Sequence, residues 1–99
     1  SHQAVYDYVR GGKAGAAMPP YTQMAASVIS AIGVKLDAVH DQDIAFVQGA
    51  LIRLGFDPGR IDGVMGDRTR GALKDAGASA DDPAGAVSAL LKEKFPLEF

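Results

Sequence analysis

The chain has 99 residues, 47% of them apolar and 22% charged, and a net charge of −2, which is the composition of one ordinary globular domain. The slight acidity argues against a nucleic-acid binder, which needs a basic face to neutralise phosphates. With no cysteine there can be no disulfide and no thiolate metal site, and no stretch is long and apolar enough to span a membrane.

The N-terminus, Ser1-His2-Gln3-Ala4, has neither the basic start nor the apolar run of a signal peptide. It also lacks an initial Met, so the chain reads as a processed protein or a piece of a larger one, with any export signal upstream. Residues 3–9 suit a short helix with Val5, Tyr8 and Val9 on one side, ended by Gly11-Gly12. Residues 10–18, rich in Gly and Ala, read as a link. Pro19-Pro20 then opens a helix, since proline suits a first turn that has no use for its missing N–H. Tyr21, Met24, Ala25, Val28, Ile29 and Ile32 recur at the spacing of one buried stripe, and Gly33 takes the position after the helix. Alternation of Val34 and Leu36 with Lys35 and Asp37 suggests a short extended piece over 34–40.

Asp41 is a good N-cap, and Asp43 favours the positive end of the helix it opens. That helix runs from Gln42 to about Leu54, burying Ile44, Val47, Leu51, Ile52 and Leu54, and Gly55 ends it. Asp57-Pro58-Gly59 is a strong turn signal. Ile61, Val64 and Met65 are apolar residues inside the loop and pin it to the core, while Gly63 and Gly66 supply backbone angles that a side chain resists. A second helix starts near Asp67, with Thr69, Ala72, Leu73 and Ala76 on one face, and stops at Gly77. Residues 78–82 form a polar link. Asp82-Pro83 then restarts the pattern as cap and first residue; Val87, Leu90, Leu91 and Phe95 give the last helix its buried side, and Pro96 ends it.

One gapless stretch carries more than helix spacing. Asp41 caps a helix with Gln48 and Leu51 on its inner face; Leu54-Gly55-Phe56, Asp57-Pro58-Gly59, Ile61-Asp62-Gly63 and Val64-Met65-Gly66 follow, and then Thr69, Ala72 and Leu73. In this order the stretch resembles the small helical peptidoglycan-binding domains found beside bacterial and phage cell-wall enzymes. Downstream it departs from them: Asp75-Ala76 stand where relatives often carry Phe-Gln, and Asp82-Pro83-Ala84-Gly85 where many have a second Asp-Gly turn. Residues 1–40 have no counterpart in the resemblance. It implies an all-α fold, with a compact three-helix domain over residues 41–99 preceded by a helical extension or linker over residues 1–40. It also implies non-catalytic attachment to peptidoglycan, through stem peptide or glycan, that tethers an attached catalytic domain to the wall. The place of action is then the periplasm, cell envelope or extracellular space, for a bacterial or phage-encoded protein. The alternative is a protein-docking module in a secretion machine, a phage tail or a larger enzyme.

Within this frame Gln48, Gly55, Phe56, Pro58, Gly59, Asp62, Gly63, Gly66 and Thr69 form the structural motif. The Gln48 amide, facing inward, either bonds loop backbone and freezes the loop or meets ligand directly. Asp62 accepts amides of its own turn. Thr69 bonds locally and packs its methyl group, and Phe56 packs between the two helices or offers a ring to a sugar. Residues 53–74 hold five basic side chains against three acidic ones, whereas the remainder is acidic. Arg53, Arg60 and Arg68 are therefore candidate contacts for a carboxylate, unless they form only a solvated charged surface. No catalytic, metal or cofactor site is expected. Asp62 has no second carboxylate at the register of glycoside hydrolysis. Asp57, Asp62 and Asp67 lack EF-hand spacing and a closing Glu, and His2 and His40 stand alone.

Overall fold

A computed structural model describes residues 20–78 and 81–98. The expected helix at 3–9 and the link at 10–18 lie outside the described residues. Four α-helices follow in chain order: α1 (Pro20–Ile32), α2 (Gln42–Leu54), α3 (Asp67–Ala76) and α4 (Pro83–Lys94). Two 3₁₀ turns, Leu36–Ala38 and Pro96–Glu98, complete the set. The fold is all-α, with no strand among the described residues, and among them no helix is long and apolar enough to cross a membrane.

Local chemistry sets the helix ends. The Asp41 carboxylate accepts from the amides of Asp43 (2.8 Å) and Ile44 (3.3 Å), and that of Asp82 accepts from Gly85 (3.1 Å). Each such cap contributes about 1 kcal/mol. α1, α2 and α3 all end in the same double turn, in which the glycine after the helix and the next residue both donate back to its last carbonyls. At α2 this glycine is Gly55, with φ +98°, and Phe56 donates to Leu51 at 2.9 Å.

α2 is the central helix, with α1, α3 and α4 all packed on it. Every helix places a large buried aliphatic side chain in the shared core: Ile29, Leu51, Leu73 and Leu91, with Val87 also on α4. Burying a side chain of this size contributes about 1.5–3 kcal/mol. α1 joins through Tyr21, Met24, Ala25 and Ile29, and it lies very close to α2. A Cβ on Gly49 would stand 2.9 Å from the carbonyl oxygen of Ala25 and 3.1 Å from Ile29 Cγ1. Gly49 is thus the gap in α2 that admits the α1 backbone.

Two apolar expectations and one of local structure are corrected. Ile32 closes the α1 stripe on paper but is 53% exposed; the turn at Gly33 swings the chain so that Val34 reaches the core instead. The extended piece expected over 34–40 is a 3₁₀ turn at Leu36–Ala38. Without a neighbouring strand an extended segment leaves its backbone groups unpaired, whereas here Ala38 N donates to Lys35 O at 2.9 Å and Gln42 Nε2 to Leu36 O at 3.2 Å. Val64, expected to pin the loop, is 44% exposed. The loop is held there by backbone and not by that side chain.

Candidate functional site

The link between α2 and α3, residues 55–66, contains no regular structure, yet it is tied down along its length. The tie is Gln48, fully buried on α2. Its Oε1 accepts from the amides of Asp62 (3.1 Å) and Gly63 (3.0 Å). Its Nε2 faces Asp62 Oδ1 (3.2 Å), Val64 O (3.1 Å) and Thr69 Oγ1 (3.0 Å). One side chain thereby satisfies the loop at three consecutive residues and joins it to α3. Among the described residues no buried side-chain polar atom lacks a partner, which is the condition under which such a network rigidifies instead of weakening its surroundings.

Further contacts complete the frame. Thr69 Oγ1 donates to Pro58 O at 3.0 Å, linking α3 to the first turn of the loop. Asp57 Oδ1 accepts from Gly59 N at 2.9 Å, and Asp62 Oδ1 from Val64 N at 2.9 Å. These amides, more than any charge, hold both carboxyls below the usual carboxylate range; Arg68 adds to the effect at Asp57, and the Gln48 amide at Asp62. Gly63, with φ +75°, packs against the chain entering α2: a Cβ there would lie 2.5 Å from both N and O of Asp41. At that junction His40 N donates to Asp62 O at 2.9 Å. Phe56 is half-buried and packs against the core. Gly66, by contrast, has ordinary extended backbone (φ −92°, ψ −175°), and a Cβ there would meet nothing within 4 Å. The special angles expected of it belong to Gly63 and Gly59 instead.

The loop and α3 enclose an open cavity of about 320 Å³. Buried Gln48 and Thr69 form its deep side, Pro58 and Gly59 belong to the turn, and exposed Arg60, Asp67 and Arg68 form its rim. Of the three candidate arginines, Arg60 and Arg68 come together here and Arg53 does not. Arg53 Nη2 donates to Glu98 Oε2 at 2.6 Å, and its guanidinium lies 4.3 Å over the Phe95 ring. Beside it Lys94 Nζ donates to Leu54 O at 3.0 Å. Lys94, Phe95 and Glu98 thus close the end of α2 with a cation–π contact and two charged hydrogen bonds. Sequence spacing carries no sign of a pair 45 residues apart. Asp57, one of the acidic residues set against the basic stretch, pairs with Arg68 at 2.5 Å; the helix start at Asp67 puts that arginine within reach of the turn.

Residues 40–76, a little more than a third of the chain, match the family model described as "Putative peptidoglycan binding domain". This is the family that the sequence resembles, and every residue lining the cavity lies inside the matched segment. No curated protein and no solved structure matches the chain.

Proposed function

We propose, from the match over residues 40–76 and the cavity inside it, that this protein is a non-catalytic module that attaches to bacterial peptidoglycan. The observation that carries this reading is the cavity of about 320 Å³, walled by a loop that a buried glutamine holds rigid and rimmed by Arg60 and Arg68. A preorganised wall binds without the entropic cost of ordering a loop, and the arginines suit the carboxylates that the wall's peptides bear. Such a module acts by raising the local concentration of an attached catalytic domain at its polymeric substrate. Its place is the periplasm, the envelope or the outside of the cell. The folded unit is taken to include α1 as well as residues 41–98, because Tyr21, Met24, Ala25 and Ile29 lie in the same core as α2 and α4.

Co-sedimentation of the full chain with purified sacculi tests this reading. Wild-type protein pellets, and the folded double variant Arg60→Ala/Arg68→Ala stays in the supernatant. Equal pelleting of both removes the arginines from the site. Retention by a protein partner without any retention by sacculi replaces wall attachment with protein docking. Incubation with the wall releases no soluble fragments; reproducible release would make the module an enzyme.

A further inference from the structure

The two arginines on the cavity rim are not equivalent. Arg68 already has a partner: it pairs with Asp57 at the surface, and its stem crosses the turn so closely that a Cβ on Gly59 would lie 3.3 Å from both its Cβ and its Cδ. Arg60 lines the same cavity and forms no hydrogen bond or ion pair among the described residues. The acidic group whose field it shares, Asp62, already accepts from Val64 N and from the Gln48 amide. Arg60 is thus an exposed cation beside a rigid wall, with five N–H donors that no described protein group engages.

The apolar part of the lining is aliphatic, not aromatic. Val64 is 44% exposed although its own N–H and C=O are both bonded within the protein. Pro58, itself buried, also borders the cavity, and no aromatic residue lines it. Sugar rings are commonly gripped by laying a C–H face on an aromatic ring, which this site does not offer. A carboxylate next to a small apolar side chain matches what it does offer.

We infer that Arg60 is the anion contact of this cavity and that its ligand is the carboxylate-bearing peptide of the wall, not the glycan strand, with Val64 against a small apolar side chain of that peptide. Arg68 is a positioning residue that latches the turn at Asp57–Gly59 onto α3. This inference rests on the wall-attachment reading, and the experiment separates the two. The full chain is tested against intact sacculi, against glycan strands stripped of peptide by an amidase, and against soluble stem peptide with its carboxylates free or amidated. Sacculi retain it and stripped strands do not. The free peptide binds about tenfold more tightly than its amide, as expected for one charge-assisted contact. Arg60→Ala abolishes that tenfold difference at an unchanged melting temperature, whereas Arg68→Ala lowers the melting temperature and leaves the free-to-amidated ratio in place. Retention by stripped strands equal to that by sacculi, equal binding of free and amidated peptide, or an Arg60→Ala variant that keeps the difference overturns the inference while wall attachment stands. Failure to bind sacculi at all overturns both.

Discussion

Two neighbouring residues of α2 organise two sides of the molecule by different physics. Gly49 faces α1, where contact is made by absence: with no side chain, the carbonyl of Ala25 approaches the helix directly. Gln48 faces the loop, where contact is made by a buried amide that serves five polar partners. The first is close apolar packing, which is strong but carries no chemical information. The second fixes the backbone of a loop, and so fixes where Arg60, Val64 and Thr69 stand. The difference teaches that the helical frame and the binding surface are separable, although one helix supports both.

The comparison is broken most severely on the Gln48 side. Gln48→Leu keeps the volume but leaves the buried amide of Gly63 and that of Asp62 without their acceptor, a loss on the order of 4 kcal/mol. Urea unfolding measures it; near-native stability would show that the loop holds itself. Gly49→Val is next, at about 3 kcal/mol, because the obstructing atom is backbone and cannot swing aside. Its control is Gly71→Ala in α3, where a Cβ meets nothing within 4 Å; that change adds about 0.5–1 kcal/mol. If both glycine changes destabilise alike, helix propensity and not close approach governs the α1 contact.

Thr69→Val sharpens the Gln48 side. It removes the donor to Pro58 O and one acceptor of the Gln48 amide, with an expected loss of about 1.5 kcal/mol and faster amide exchange around residues 57–59. Unchanged exchange there would remove Thr69 from the frame. Acid gives the smallest effect. Folding holds Asp57 and Asp62 below the usual carboxylate range, so it favours their ionised forms. Their contribution is complete above the ordinary carboxylate pKa of about 4 and fades as pH falls through the lowered folded values. Protection of the Gly59 and Val64 amides, measured against the intrinsic exchange rate at each pH, should therefore fall on acidification before the helices melt; simultaneous loss would mean that these turns carry no separate stability.

The helix ends were legible because their signals are local: Asp41 and Asp82 are caps within three residues of the amides they bond, and Gly33, Gly55 and Gly77 stand immediately after their helices. Residues 41–73 were also legible as a site frame, since Gln48, Asp62, Gly63 and Thr69 each stand where one rigid loop needs that residue type. Side-chain fates set by distant chain were not. Arg53 looks like its neighbours in the basic stretch until Glu98 and Phe95 return to it. Gly66 reads like Gly63, but only Gly63 meets another backbone segment. The partner of α1 was illegible for a similar reason: its stripe announces that it packs, and the gap that receives it is one glycine inside α2.

The central claim is that the Gln48-held loop is a preformed wall against which peptidoglycan docks. Titration of isotopically labelled full-length protein with soluble stem peptide, followed residue by residue by NMR, tests it most directly. The account predicts a slowly exchanging Gln48 side-chain amide before any ligand is added, then shifts concentrated at Arg60, Val64 and Thr69. A loop already averaged among conformations in the free protein, or shifts confined to the Arg53–Glu98 end of the molecule, would contradict it.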